Sequence, residues 1–335
     1  MVALVTTALL ALPVTALASF HPHGTLRRRH YDHARSVVKR DEPTNWVLND
    51  TYDNTNFFDK FDFYTGKDQT NGIVNFVNQS FAESNGLAYY ETNHVVLGVD
   101  STTQLAENEP RNSIHITSKE KFQSGTLVLA SFYAMPHGCA TWPAYWQVGD
   151  DWPNQGELDI IENVNEAVSN QVTAHTGVSC TLDHSIETIG TIQGDDCFSR
   201  PDHNSGCAFV TDNNATYGHN FNMNAGGVYA HIWTSNEIKV WFFQRQQIPQ
   251  DILDGQPNPN SWGTPFGAFT NGNCDIADAF KNQKIVFDIT LCGDWAGPAY
   301  ADSGCPGTCS QHVMDPSNFK VAKFKVEYLK IFKQN

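Results

Sequence analysis

Short segments of β-type residues, separated by turn residues, recur along most of this chain and constrain its fold more than any other feature. The segments cover residues 113–117, 125–135, 157–164, 171–178, 228–234, 238–244, 284–291 and 320–332. Two of them form a predicted hairpin around a turn at 234–237. Helical periodicity is nearly absent, apart from short stretches at 250–254 and 275–281. The pattern predicts an all-β fold, an antiparallel β-sandwich with large loops.

The first 40 residues differ in composition from the rest of the chain. Residues 2–18 form an apolar run ending in Ala16-Leu17-Ala18, which predicts a signal peptide over residues 1–18 rather than a membrane span. Residues 19–40 are basic, rich in His, and end in the dibasic pair Lys39-Arg40. They predict a propeptide, with an ordinary charged linker as the alternative. Residues 41–335 are then one predicted domain of a secreted, extracellular protein, which we expect to be a monomer.

The predicted domain is strongly acidic. The whole chain has a formal net charge of −15, and residues 41–335 carry 35 acidic against 15 basic side chains. Such a surface repels phosphate backbones and anionic lipid headgroups. We therefore expect no nucleic-acid partner and, after removal of the signal peptide, no membrane partner.

Secretion determines how the eight cysteines are interpreted, because an oxidising compartment favours disulfides. They are Cys139, Cys180, Cys197, Cys207, Cys274, Cys292, Cys305 and Cys309. Their even number predicts up to four disulfides, but the sequence leaves the pairing open. No second Cys pair or His pair completes a zinc set around Cys305 and Cys309, so we expect neither metal nor cofactor. Three sequons, at Asn49, Asn78 and Asn214, predict glycosylated surface loops.

Three acids punctuate the predicted strand at 157–164. In an unbroken strand Glu157 and Asp159 share one face while Glu162 points to the other. One extra residue at Ile160-Ile161, a β-bulge, would return Glu162 to the face of the other two acids. A helix would instead spread the three acids around its circumference. Only a bulged strand places all three on one wall.

Three aligned carboxylates repel one another, and repulsion with partial burial raises at least one pKa. Two-step glycoside hydrolysis needs an ionised carboxylate as nucleophile and a protonated one as acid, about 5–5.5 Å apart in retaining enzymes. The cluster therefore predicts this chemistry. The alternative is a solvated acidic strand face.

Tryptophans are concentrated just upstream of the acids. Trp142, Trp146 and Trp152 lie within eleven positions of one another, and Trp295 follows Asp294 much later in the chain. Indole faces stack on the apolar faces of sugar rings, while neighbouring polar groups bind hydroxyls. We interpret these four residues as sugar platforms; the alternative is that they fill the core.

The segment Gly-Glu157-Leu-Asp159-Ile-Ile-Glu162 resembles the E-x-D-x-x-E signature of glycoside hydrolase family 16. The surrounding motifs are similar to its fungal laminarinase-like branch: Trp-Pro-Ala-Tyr-Trp at 142–146, Arg-Asn-Ser at 111–113, Thr-Ala-His-Thr at 173–176 and Thr-Leu-Cys-Gly-Asp-Trp-Ala-Gly at 290–297. The resemblance implies a concanavalin-like jelly roll with an open cleft. It also implies endo-cleavage of β-1,3- or mixed β-1,3/1,4-glucan with retention of configuration.

Residue roles follow from the same resemblance. It implies that Glu157 is the nucleophile and Glu162 the acid/base, with Asp159 hydrogen-bonding the nucleophile. It implies that His175 lies in the cleft near the acid/base and that Arg111 binds substrate hydroxyls.

Two other functions fit parts of the sequence. A non-catalytic, lectin-like glucan-binding sandwich would share the Trp platforms but would have no need of two Glu at catalytic spacing. Wall glucan transglycosylases of the family use a signature one residue shorter, so Ile160-Ile161 favours the hydrolase. The segment at 301–306 has a weak similarity to a serine-protease nucleophile loop but lacks its leading Gly. No sequence signal indicates a structural calcium.

Overall fold

Two large antiparallel sheets form the framework of this protein. The structure, a computed structural model, describes residues 45–335. The predicted signal peptide and propeptide lie outside the described residues. The strands are β1 (Trp46–Asp53), β2 (Phe61–Phe63), β3 (Val74–Phe76), β4 (Ala88–Tyr90), β5 (Val95–Gly98), β6 (Arg111–Ser113), β7 (His115–Ser118), β8 (Thr126–Ala134), β9 (Thr141–Val148), β10 (Glu157–Glu162), β11 (Gln171–His175), β12 (Thr191–Gln193), β13 (Cys207–Val210), β14 (Gly227–Trp233), β15 (Glu237–Gln244), β16 (Gly267–Thr270), β17 (Lys284–Leu291) and β18 (Lys323–Gln334).

Helices within the described range are short and lie in the connections. They are α1 (Gln79–Ser84), α2 (Gly218–Met223), α3 (Gln250–Leu253), α4 (Ile276–Ala279), α5 (Gly293–Ala296) and α6 (Cys309–Met314), with 3-10 turns at Phe57–Lys60, Arg245–Gln247, Pro259–Ser261 and Pro316–Phe319. Both helical stretches predicted from the sequence are confirmed, as α3 and α4. No helix in residues 45–335 is long and apolar enough to cross a membrane.

The strands belong to two eight-stranded sheets and one small pair. The first sheet runs β16-β15-β14-β8-β18-β5-β4, with β1 also paired to β18. The second sheet runs β12-β13-β11-β10-β9-β17-β7-β2, and β3 pairs with β6 in parallel. The predicted hairpin is confirmed as β14–β15, whose turn is closed by Thr234 N–H donating to the Glu237 carbonyl at 2.9 Å.

Aromatic side chains form the core between the sheets. Phe132 on β8 packs edge-on against Tyr145 on β9, with ring centroids 5.3 Å apart, and Phe287 on β17 lies 5.5 Å from Phe324 on β18. All four are fully buried, and each contributes roughly 1.5–3 kcal/mol from the burial of apolar surface. These contacts join the sheets face to face, which confirms the predicted antiparallel sandwich.

Four disulfides fasten the loops. They join Cys139 to Cys305, Cys180 to Cys274, Cys197 to Cys207 and Cys292 to Cys309. The predicted number is therefore confirmed, and the structure supplies the pairing that the sequence left open. Two of the bridges hold the loop after β17, which carries Trp295, to the ends of β9 and β17.

Candidate active site

The strand β10 carries a bulge at the predicted place. Against β9, Asp159 pairs with Trp146 and the next pair is Ile161 with Tyr145, so that Ile160 is skipped. Against β11, the register also shifts between Asp159 and Glu162. The extra residue predicted at Ile160-Ile161 is therefore confirmed.

Cross-strand pairing defines the face on which each acid lies. On β9, Glu157 pairs with Val148, Asp159 with Trp146 and Glu162 with Ala144. Residues directly opposite in antiparallel strands project from the same face, and every second residue of a strand shares that face. The three β9 partners are spaced by two, so all three acids lie on one side. Leu158 and Tyr145 are buried on the other side, which faces the core.

A buried asparagine holds the bulge. The N–H of Glu162 donates to Asn170 Oδ1 at 3.0 Å, and Asn170 Nδ2 donates to the carbonyl of Ile160 at 2.7 Å. A bulge removes backbone groups from the ladder, and buried backbone groups must find other partners. Asn170 is fully buried and supplies these partners through one side chain.

Aromatic and polar side chains from the neighbouring strands share the face with the acids. Trp142 Nε1 donates to Glu162 Oε1 at 2.9 Å, and Trp146 Nε1 donates to Asp288 Oδ1 at 2.8 Å. The rings of Trp142 and Trp295 meet edge to face, with centroids 5.5 Å apart. The structure thus brings three of the four predicted platforms onto or beside the acid face.

Trp152 and His175 flank the other end of the acid row. Trp152, in the loop before β10, hydrogen-bonds Glu157 and is 44% exposed. His175 on β11 is the cross-strand partner of Glu157, and its Nε2 lies 3.6 Å from Asp159 Oδ2. The β10–β11 register places His175 at the Glu157 end of the acids, and its position in the cleft near the acid/base stays a prediction.

Burial and mutual repulsion dominate the electrostatics of the row. Burial raises the pKa of Glu157, and the charge of Glu162 raises it further. Burial likewise raises the pKa of Glu162, while the hydrogen bond from Trp142 opposes the shift. Burial raises the pKa of Asp159 well above its usual range, and both glutamates add to that rise. The row therefore retains protons at a pH at which isolated carboxyls have lost theirs.

The hydrogen bond between Asp159 and Glu157 divides their protons unequally. It lowers the pKa of Glu157 and raises that of Asp159, as expected when a protonated Asp159 donates to an ionised Glu157. Asp159 is only 2% exposed, whereas the two glutamates are half-buried. Asp159 thus favours the charged form of its neighbour while staying covered itself.

Arg111 does not belong to the site, and its assignment as a hydroxyl ligand is wrong. Its side chain is fully buried, and its guanidinium donates to backbone carbonyls. The acceptors are Asp100, Thr103, Val313 and Met314. The guanidinium also lies over the ring of Phe319, 5.0 Å from its centroid. Arg111 therefore fastens two loops together, a role that its sequence motif does not reveal.

Three residues that position the side chains of the site were not predicted from the sequence. Asp288 orients Trp146, Asn170 holds the bulge, and Ser199 Oγ lies 3.2 Å from His175 Nδ1. Only Asp288 had a usable signal, since it is the one acid in the otherwise largely apolar segment 284–291. Asn170 and Ser199 lie in loops whose position depends on tertiary packing.

One side-chain group has the composition of a metal site. Potential ligand atoms of Glu157, Asp159 and His175 all lie within 4.8 Å of one another.

The three sequon asparagines, at positions 49, 78 and 214, are exposed, which is compatible with the predicted glycans.

Comparison with known proteins identifies the family of this chain. Residues 61–332 match the model of the XgeA-like catalytic GH16 domain. A probable endo-1,3(4)-beta-glucanase of Aspergillus flavus is 40% identical over 298 residues, which is 86% of this chain and 44% of that protein. The chain thus spans less than half the length of this relative.

Solved structures of family 16 proteins are also similar to this chain. Laminarinase 16A from Phanerochaete chrysosporium, with 6-O-glucosyl-laminaritriose in its donor and acceptor sites, superimposes with a TM-score of 0.83 at 37% identity. The match covers 86% of this chain and all of that one. An elongating family 16 beta-1,3-glucosyltransferase superimposes with a TM-score of 0.82 at 39% identity and the same coverage. The chain belongs to glycoside hydrolase family 16.

Proposed function

We propose that this protein is an endo-acting glycosidase that cleaves β-1,3- or mixed β-1,3/1,4-glucan with retention of configuration. The observation that carries the proposal is the bulge in β10, because it puts Glu157, Asp159 and Glu162 on one face. A regular strand would leave Glu162 in the core. The similarity to the Aspergillus glucanase and to the laminarinase with bound glucan oligosaccharides supports this substrate class.

Glu157 acts as the nucleophile in the proposed mechanism. Burial and the charge of Glu162 raise its pKa, and the hydrogen bonds from Trp152 and Asp159 oppose that rise, which favours the carboxylate that attacks the anomeric carbon. Glu162, whose pKa burial raises, protonates the departing glycosidic oxygen. Water then enters, Glu162 takes its proton, and the bond between the sugar and Glu157 is hydrolysed.

Tryptophans hold the glucan in this proposal. Trp142 and Trp295 lie at the Glu162 end of the row, and exposed Trp152 lies at the Glu157 end. Platforms on both sides of the acids suit a polysaccharide that is cut internally. The open cleft expected along this face stays a prediction.

Transfer to a second sugar is the alternative reaction at the same site. The similarity to the elongating glucosyltransferase, at 39% identity, is the specific observation in its favour. The two reactions share the glycosyl-enzyme and differ only in whether water or a sugar hydroxyl attacks it. The lectin-like alternative has no comparable support, because binding alone does not need a nucleophile.

The remaining proposals concern the intact protein. We propose a signal peptide over residues 1–18, a propeptide over 19–40 and a single catalytic domain over 41–335. The secreted domain would be monomeric, carry glycans at Asn49, Asn78 and Asn214, and bind neither nucleic acid nor membrane.

The decisive experiment compares the protein with its Glu157→Gln variant on laminarin, lichenan and chitin. We expect laminarin or lichenan to give a range of oligosaccharides, chitin to give none, and the variant to lose about 10⁴-fold or more of the rate. NMR of fresh product should show the β-anomer first, since retention of a β-linkage gives it. Products longer than the substrate would favour transfer, and an active Glu157→Gln protein would refute the assignment.

A bell-shaped pH dependence of the rate follows from the two roles. The acid/base must keep its proton, so activity should fall as the pH rises through its pKa. The nucleophile must be ionised, so activity should also fall as the pH drops through the lower pKa of the row. A pH profile of kcat/KM with its maximum above pH 8 would contradict this mechanism.

A further inference from the structure

Ligand-type atoms converge where β10 and β11 pair. Glu157 and His175 are cross-strand partners, and Asp159 lies two residues along the same face. His175 Nε2 and Asp159 Oδ2 are 3.6 Å apart. Two ligands at about 2.1 Å from a tetrahedral cation would be about 3.4 Å apart. The separation therefore already matches that of two atoms on one metal ion.

One of these atoms lacks a hydrogen-bond partner. Asp159 Oδ2 is buried and accepts no hydrogen bond from any residue that the structure describes. The side chain of Asp159 is 3% exposed. An unsatisfied buried carboxyl oxygen is costly. A cation that displaces the proton of Asp159 and lies between this oxygen and His175 Nε2 would remove that cost.

His175 is oriented from behind. Its Nδ1 lies 3.2 Å from Ser199 Oγ, and Ser199 is 5% exposed. When Nδ1 donates to Ser199, the lone pair of Nε2 points toward Asp159. Metal-bound histidines have the same arrangement, in which a second hydrogen bond fixes the tautomer and the orientation of the ring.

The donor set selects the kind of cation. One imidazole and two carboxylates suit Zn²⁺, whereas Mg²⁺ and Ca²⁺ prefer oxygen ligands alone. The cysteines offer no competing thiolate, because all eight are in disulfides. We propose that Glu157, Asp159 and His175 form a binding site for Zn²⁺.

Zn²⁺ in this place would inhibit the enzyme reversibly. It would bind the carboxylate that attacks the sugar, so occupancy and catalysis would exclude each other. This consequence rests on the proposed function, whereas binding of the cation does not.

Binding is tested on the full chain by thermal unfolding and calorimetric titration with ZnCl₂, and MgCl₂ is the comparison. A ligand that binds only the folded state raises Tm, so we expect Zn²⁺ to raise it and Mg²⁺ to leave it unchanged. Glu157→Gln and His175→Gln should each weaken the Zn²⁺ affinity at this site at least about tenfold, and Ser199→Ala should weaken it about tenfold.

The exposed pair of His184 and Asp195 provides a matched control. Its Nε2–Oδ2 distance is 3.3 Å, but both side chains are more than half exposed. His184→Asn should leave the rise in Tm intact. Titrating these variants side by side also removes the contribution of histidines elsewhere in the chain.

The outcomes separate the metal site from the catalytic proposal. A rise in Tm that disappears in Glu157→Gln and His175→Gln, both still folded, supports the site even if no glucan is cleaved. The proposed Zn²⁺ site is overturned if Zn²⁺ does not raise the Tm of the parent protein, or if it raises the Tm of both variants as much as that of the parent. Glucan cleavage in EDTA tests the enzyme independently, and in an active enzyme Zn²⁺ should lower the rate until EDTA restores it.

Discussion

The two sheets differ in whether their buried and half-buried carboxylates have a Lys or Arg beside them. On the first sheet, Glu327 accepts from Arg245 Nη1 at 2.6 Å and Glu91 accepts from Lys325 at 2.8 Å; we call these four residues the paired cluster. On the second sheet, Glu157, Asp159 and Glu162 form the acid row. Within residues 45–335, no Lys or Arg forms an ion pair with the row.

The contrast separates a structural use of charge from a chemical one. A half-buried carboxylate with a cation beside it is satisfied, and removing either partner leaves an unpaired charge. Neighbouring carboxylates without a Lys or Arg beside them are held against their own repulsion, which is typical of sites where perturbed protonation does chemical work. The comparison can be tested by neutralising one acid at a time.

Glu162→Gln should have the largest effect on the rate after Glu157→Gln. Loss of the acid removes leaving-group protonation, so we expect glucan cleavage to fall about 10²–10⁴-fold. The measurement is kcat on laminarin beside kcat on an aryl β-glucan oligosaccharide whose leaving group needs no proton. The aryl substrate should lose much less; an equal loss on both substrates would remove the acid role from Glu162.

Asn170→Ala should damage both the fold and the rate. It removes the partners of the Glu162 N–H and the Ile160 carbonyl, so we expect a loss of about 1–3 kcal/mol in the free energy of unfolding and slower cleavage by the remaining folded protein. Urea unfolding and active-site kinetics provide the two readouts. Asn163→Ala, in the same connection, is the control and should keep the rate. A normal rate in Asn170→Ala would mean that the bulge does not depend on this side chain.

Glu327→Gln tests the paired cluster. It leaves Arg245 without its ion-pair partner, so we expect a loss of about 1–2 kcal/mol in the free energy of unfolding. Glucan cleavage should stay at the parent rate, because the residue lies on the other sheet. The prediction fails if the variant is as stable as the parent protein in urea.

Glu157→Gln should raise the stability of the folded protein, whereas Asn170→Ala and Glu327→Gln should lower it. The pKa of Glu157 is raised in the folded state, so its contribution to stability is lost as the pH rises from its unfolded pKa of about 4.3 through the folded value. The neutral variant avoids that loss. Its Tm should exceed that of the parent by a few degrees at pH 8 and by almost nothing at pH 4. A lower Tm than the parent at pH 8 would show that the row is not under electrostatic strain.

Asp288→Asn should have the smallest effect. It keeps an oxygen acceptor for Trp146 but replaces a carboxyl group whose pKa burial raises well above its usual range, so the indole should be held only slightly less firmly. We expect KM for laminarin to rise less than about tenfold with kcat nearly unchanged, since charge-assisted hydrogen bonds are only about twice as strong as neutral ones. A drop in kcat without a change in KM would instead assign Asp288 to the reaction step.

The sequence predicted the long strands more successfully than the short ones. The long segments at 125–135, 284–291 and 320–332 correspond to β8, β17 and β18, because long runs of apolar and β-branched residues have few other uses. Strands before residue 113, such as β4 and β5, were missed. β4 and β5 are three and four residues long, which is too short for a period to emerge. β1 has eight residues but shows no regular alternation of apolar and polar side chains.

Within the site, the sequence was most informative where the chemistry is local. Glu157, Asp159 and Glu162 lie on six consecutive residues, so an alternation rule and one inserted residue were enough to place them on a common face. Arg111 was misplaced because its surroundings come from a distant segment, the loop at 313–314. The neighbours of His175 likewise depend on the β10–β11 register, which no local pattern encodes.

The sequence by itself determined the class of the fold, the bulge and the row of acids, because each follows from the two-residue period of a strand. Tertiary structure alone decided which side chains lie beside the acid row, which cysteines pair, and which acids form an ion pair with Lys or Arg. These depend on the order of strands within each sheet, where neighbours in space are more than a hundred residues apart in the chain, as Trp146 and Asp288 are. No local pattern encodes a contact at that distance.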